Sequence, residues 1–125
     1  GWLGSTNMAT HPEPHDLTAR LERIISLFFS QSQAMLAELA YACANQDGEA
    51  LFRSTHSLKN LAANVGARAL YQLCATLEHN SKTVNWQAVE KIRLQVVSCH
   101  QSTCARLDEY KGMGYGRFSE NRGAA

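Results

Sequence analysis

Apolar positions divide the chain into four segments of helical period. In the first, Leu17, Leu21, Ile24, Phe28, Met35, Leu39 and Ala42 follow a three-four spacing, with Ser32 filling the gap and Leu36 and Cys43 widening the stripe. That spacing keeps one face of a helix apolar. The segment fits one long helix, or a short helix running into a long one. "NQDG", Asn45 to Gly48, then supplies a turn, with Asp47 as the N-cap of the second segment. This segment, about Glu49 to Val65, buries Leu51, Thr55, Leu58, Ala62 and Val65, and Gly66 stands where a helix C-terminus favours glycine. The third covers Arg68 to about Ser81, with Leu70, Leu73, Cys74 and Leu77 as its apolar face. After "NSKTVN" comes the fourth, in which Val89, Ile92, Val96, Cys99, Thr103, Leu107 and Tyr110 recur by threes and fours.

No segment alternates with period two over a useful length, so no strands are expected. The only prolines are Pro12 and Pro14, which leaves the rest of the chain free of the residue that most reliably breaks helices. Four amphipathic helices joined by short loops predict an all-α protein, an antiparallel up-down four-helix bundle over residues 15–111. There is room for an extra short N-terminal helix ahead of the long first one. Residues 1–14, "GWLGSTNMATHPEP", have no apolar period and read as a flexible lead-in, in which Met8 is a candidate native start and residues 1–7 a non-native leader. Residues 112–125, "GMGYGRFSENRGAA", read as a flexible glycine-rich tail.

Composition narrows the function classes. A chain of 125 residues, 45% hydrophobic, suits one domain with one core. The formal charge of +1, with acids and bases interleaved, lacks the basic stripe of a nucleic-acid binder. No apolar run is long enough for a membrane helix, and no secretory leader pattern is present. Cys43, Cys74, Cys99 and Cys104 show no C-x-x-C spacing and read as buried, reduced thiols, which favours the cytoplasm; the chain is expected to be a monomer.

One residue stands out against this background. In "HSLKNLAANVGA", His56 to Ala67, the histidine lies about 140° from the centre of the second segment's buried stripe and so faces away from the core. On the same side lie Phe52 at i−4, Lys59 at i+3, Asn60 at i+4 and Ala63 at i+7. A phenylalanine and small residues beside an exposed imidazole make a partly apolar patch of the kind that marks contact sites. These are also the parts a phosphoryl-accepting histidine needs. Neutral imidazole, with a pKa near ~6.5, is an available nucleophile at neutral pH. The phosphoryl group brings close to two negative charges, which the Lys59 ammonium can offset. Small side chains nearby let a partner's active site approach, and positioning with electrostatics is most of what phosphoryl transfer asks for.

The same stretch resembles the signature of histidine-containing phosphotransfer (HPt) domains, H-x-L-K-G-x-x-x-x-x-G-A. His56, Leu58, Lys59, Gly66 and Ala67 match, and the resemblance extends from about Asp16 to Tyr110, including "LYQLCATLEH". It implies His56 as phosphoacceptor, Lys59 as its electrostatic partner, and Glu78 on the following helix as a group that orients the imidazole. With that function, the patch of Phe52, Asn60 and Ala63 around His56 is the face expected to dock receiver domains. Asn60 departs from the signature, standing where a small residue is usual. The implied function is a step in a two-component phosphorelay: a phosphoryl group is accepted from one receiver aspartate and passed to another. The chain would act alone or as the cytoplasmic end of a membrane-bound hybrid sensor histidine kinase. No cofactor is implied, since any Mg2+ would belong to the receiver. Nor is the chain expected to be a kinase, for it has no nucleotide-binding glycine loop.

The alternative is a non-catalytic helical-bundle module that docks a receiver or kinase domain through the same face. Lys59 beside His56 favours the carrier, and Asn60 leans towards the module. A metal site is not expected. Cys99 and His100 point about 100° apart on a helix and read as core and edge, and "EH" at Glu78 lacks the Glu-x-x-His spacing of di-iron bundles.

Overall fold

The first apolar stripe folds as one unbroken helix, α1 (Pro14–Asn45), in a computed structural model that describes residues 14–82 and 85–115, with side chains over 17–82 and 85–110. The helix ends at Gln46, whose φ of 50° reverses the backbone. The Asp47 amide then donates back to the Ala42 carbonyl at 2.9 Å. Asp47 caps α2 (Gly48–Asn64) as its position predicts, its carboxylate accepting from the Ala50 amide at 3.1 Å. Gly66, at φ 71°, closes α2: the Ala67 amide donates to the Ala62 carbonyl at 2.9 Å, satisfying a carbonyl that the ending helix leaves open. The turn leads directly into α3 (Arg68–His79), a 3-10 turn (Asn80–Lys82) and α4 (Trp86–Tyr115).

Consecutive helices pack on one another, and α4 returns against α1. The result is the all-helical up-down bundle that the four stripes predict. Its core gathers Phe28, Leu39, Leu51, Leu58, Leu70, Leu77, Val89 and Val96. The predicted stripe of α2 is buried apart from its last member, Val65, which is half-buried. Thr55 and Ser54 tolerate this burial because their hydroxyls donate to the carbonyls of Leu51 and Ala50 one turn earlier.

The stripe of α1 departs from expectation at its start. Leu17 and Leu21 are exposed, and Ile25 rather than Ile24 reaches the core. Helix length explains this: α1 has 32 residues and α2 only 17, so α1 runs about 20 Å further than the helix it packs on. Tyr110, towards the end of the long α4, is exposed as well. Two of the assigned boundaries also move. Pro14 opens α1, and α4 continues through 112–115 into what reads as tail. The remaining lead-in, residues 1–13, and the tail 116–125 lie outside the described residues, as does the site of any extra N-terminal helix.

His100 corrects the reading of α4. It is buried, only 3% exposed, whereas Cys99, assigned to the core stripe, is half-buried. The reason sits on α1: Ser32, the one polar gap in that stripe, meets the imidazole Nε2 at 2.7 Å, and the ring stacks on Phe28 with centroids 5.6 Å apart. Burial holds His100 below the ordinary histidine value of 6.5. A group depressed in this way protonates more readily in the unfolded chain, so its contribution to stability is full above about pH 6.5 and is lost as pH falls through the lowered folded value. Urea unfolding followed against pH should show that decline, and His100→Phe should remove this component of it.

Candidate functional site

The side of α2 opposite its core stripe carries His56, with half of its side-chain surface exposed. α3 lies alongside because Leu70, Cys74 and Leu77 bury themselves in the bundle. Glu78 follows Leu77 by one residue, about 100° round the helix, which places it on the seam facing α2. There its carboxylate divides between two partners. Oε2 lies 2.6 Å from His56 Nδ1, and Oε1 accepts from Lys59 Nζ at 2.7 Å.

Electrostatics follow from that division. Lys59 holds the Glu78 carboxyl below the usual carboxylate range, burial opposes this, and the His56 bond adds to the lowering. Glu78 in turn raises Lys59. An ionised carboxylate only accepts hydrogen bonds, so the 2.6 Å contact requires the proton of neutral His56 to sit on Nδ1. The lone pair is then on Nε2, at the opposite edge of the ring. Phe52, one turn earlier on α2, stacks against the imidazole with centroids 5.8 Å apart and planes 15° from parallel.

The structure therefore brings together His56, Lys59, Glu78 and Phe52. Asn60 and Ala63 lie exposed further along the same helix, without a direct tie to the imidazole. Leu58 is fully buried, and Gly66 and Ala67 form the turn into α3. Lys59 is not a free cation beside the ring. Its ammonium is committed to Glu78 and stands 5.8 Å from the Tyr71 ring centroid. Sequence reasoning passed over Tyr71, although it precedes Glu78 by seven residues and so shares its face of α3. Cys74 beneath is buried, its thiol pushed up to about 12 by desolvation, which makes it inert as a nucleophile.

Among the described residues no group of three or more His, Cys, Asp or Glu is placed to hold a metal ion. No helix among them is long and apolar enough to cross a membrane. In comparison with known families, the model described as Hpt domain matches residues 23–108, a span that includes all of α2 and α3. No curated protein and no solved structure matches the chain.

Proposed function

The chain belongs to the Hpt domain family, and from that premise we propose that His56 takes a phosphoryl group onto Nε2 from a receiver-domain aspartate and yields it to the aspartate of another receiver. Membership itself implies histidine phosphotransfer within a phosphorelay, with receiver domains as partners. The assignment to His56 is carried by one observation, the Glu78 carboxylate shared between His56 Nδ1 and Lys59 Nζ. A docking surface alone has no need of that arrangement.

The step balances on these groups. The Nε2 lone pair attacks phosphorus, the N–P bond forms, and the P–O bond to the receiver aspartate breaks with its electron pair left on the aspartate oxygen. The imidazole keeps its Nδ1 proton and becomes a cation, whose new charge faces the Glu78 carboxylate. Reversal onto a second aspartate restores neutral His56. Glu78 orients the ring, fixes the proton on Nδ1 and offsets the charge that develops. Lys59 keeps Glu78 ionised and so keeps it able to accept from Nδ1.

Incubation with a panel of phosphorylated receiver domains tests the proposal. Acid-labile phosphate should move to the chain, and from the loaded chain to a second receiver. If neither receivers nor a small-molecule phosphodonor load it, the reading fails. Lys59→Ala should leave the fold intact while Glu78 returns towards the ordinary carboxylate value. Transfer should slow by less than about tenfold, because both groups are partly screened by water. Stopped-flow or quench kinetics with a cognate receiver measures this, and unchanged rates would reduce Lys59 to a solvated charge.

A further inference from the structure

We propose that Phe52 is a positioning residue for His56: its stacked ring fixes the plane of the imidazole so that the Nε2 edge points outward for attack. This rests on the assignment of His56 as phosphoacceptor. It gives Phe52 a task separate from contact with a partner.

Glu78 alone leaves the imidazole underconstrained. A single hydrogen bond to Nδ1 ties one corner of the ring, and the imidazole can still tilt about the line from its Cβ to that bond. A second contact, away from that bond, is needed to fix the plane. Side chains on a helix lean towards its N-terminus, so His56 lies back over the turn that carries Phe52 at i−4. The two rings meet at 5.8 Å and 15°. Their near-parallel geometry matters chemically. The lone pair of Nε2 lies in the ring plane, so a partner covering the face blocks nothing, whereas one packed against the edge would block attack. The face of a phenyl ring also favours the cation that His56 becomes once loaded. Phe52 is itself exposed, so the bundle does not depend on it for its core.

The test uses phosphoramidate, a donor too small to need a docking surface, on the wild-type chain and on Phe52→Leu and Phe52→Tyr. In the donor's reaction the Nε2 lone pair takes the phosphoryl group, the P–N bond breaks and ammonia leaves. Phe52→Leu keeps the apolar bulk and loses the ring. Its loading should slow by about threefold to tenfold, the scale expected for one aromatic pair. The His56 ring protons should move downfield in the proton spectrum as the ring current of Phe52 disappears. Phe52→Tyr keeps the stack and should load within about twofold of wild type. Equal loading of Phe52→Leu and wild type would overturn the proposal and leave Phe52 as a docking residue alone. Equal slowing in Phe52→Tyr would overturn it too, since the ring would then not be what matters. A wild-type chain that phosphoramidate does not load on His56 would instead count against the assignment of His56 itself, and so is separable from both.

Discussion

His56→Gln should accept no phosphoryl group from any receiver while unfolding within about 0.5 kcal/mol of the wild-type chain. The two halves of this result have separate causes. Glutamine has no ring nitrogen and is not a nucleophile towards phosphorus at neutral pH, so loss of loading should be complete rather than partial. Stability is spared because the side chain lies on the exposed side of α2, opposite Leu51, Leu58 and Ala62. Glu78 keeps its bond to Lys59 when the imidazole goes, so no carboxylate is stranded. His100 is no substitute acceptor, being buried with Nε2 on Ser32. His79 is exposed and has Lys82 three residues on, but α3 ends at His79 and Lys82 sits on the 3-10 turn. Transfer from a radiolabelled receiver, with circular dichroism on the same sample, reads both halves. Acid-labile phosphate on the folded variant would move the acceptor elsewhere, with His79 the first to test.

Ala63→Arg should fold normally and lose transfer from receivers by about a hundredfold, the penalty that a misplacement of the order of an ångström carries. Ala63 is exposed, two turns along α2 from His56, and its neighbour Ala62 is the residue that enters the core. A docked receiver has to bring its aspartyl phosphate in line with Nε2, at roughly 3 Å from it, and a long charged side chain on the docking helix holds it off. Phosphoramidate needs no such approach, so loading by it should be unaffected. That contrast separates a docking defect from a chemical one. Normal transfer from receivers would place their contact elsewhere than on this side of α2.

Much of this was legible in the sequence because period and spacing carry it. The three-four stripes specify four helices, and Asp47 and Gly66 mark both ends of α2. The angle of His56 from the stripe of Leu51, Thr55, Leu58 and Ala62 gives its outward orientation. What periodicity cannot carry is how far one helix overhangs another, which is why Leu17 and Leu21 read as core and stand in solvent. Nor can it match a polar gap on one helix to a polar residue on another. Ser32 and His100 are 68 positions apart, and their meeting gives the buried imidazole a hydrogen-bond partner. The site divides in the same way. Spacing within α2 places Phe52 and Lys59 beside His56, and the resemblance points to Glu78. That one carboxylate serves both imidazole and ammonium, with Tyr71 beside the latter, depends on the packing of α3 against α2.

Glu78 should hold the proton on Nδ1 of His56 and so reserve Nε2 for the phosphoryl group. Long-range proton–nitrogen correlation spectra of the 15N-labelled chain, recorded before and after loading from a receiver, test it directly. Neutral His56 should appear as the tautomer protonated at Nδ1, and after loading the phosphorus coupling should fall on Nε2 of the same ring. A coupling on Nδ1, or on any other histidine, would contradict it.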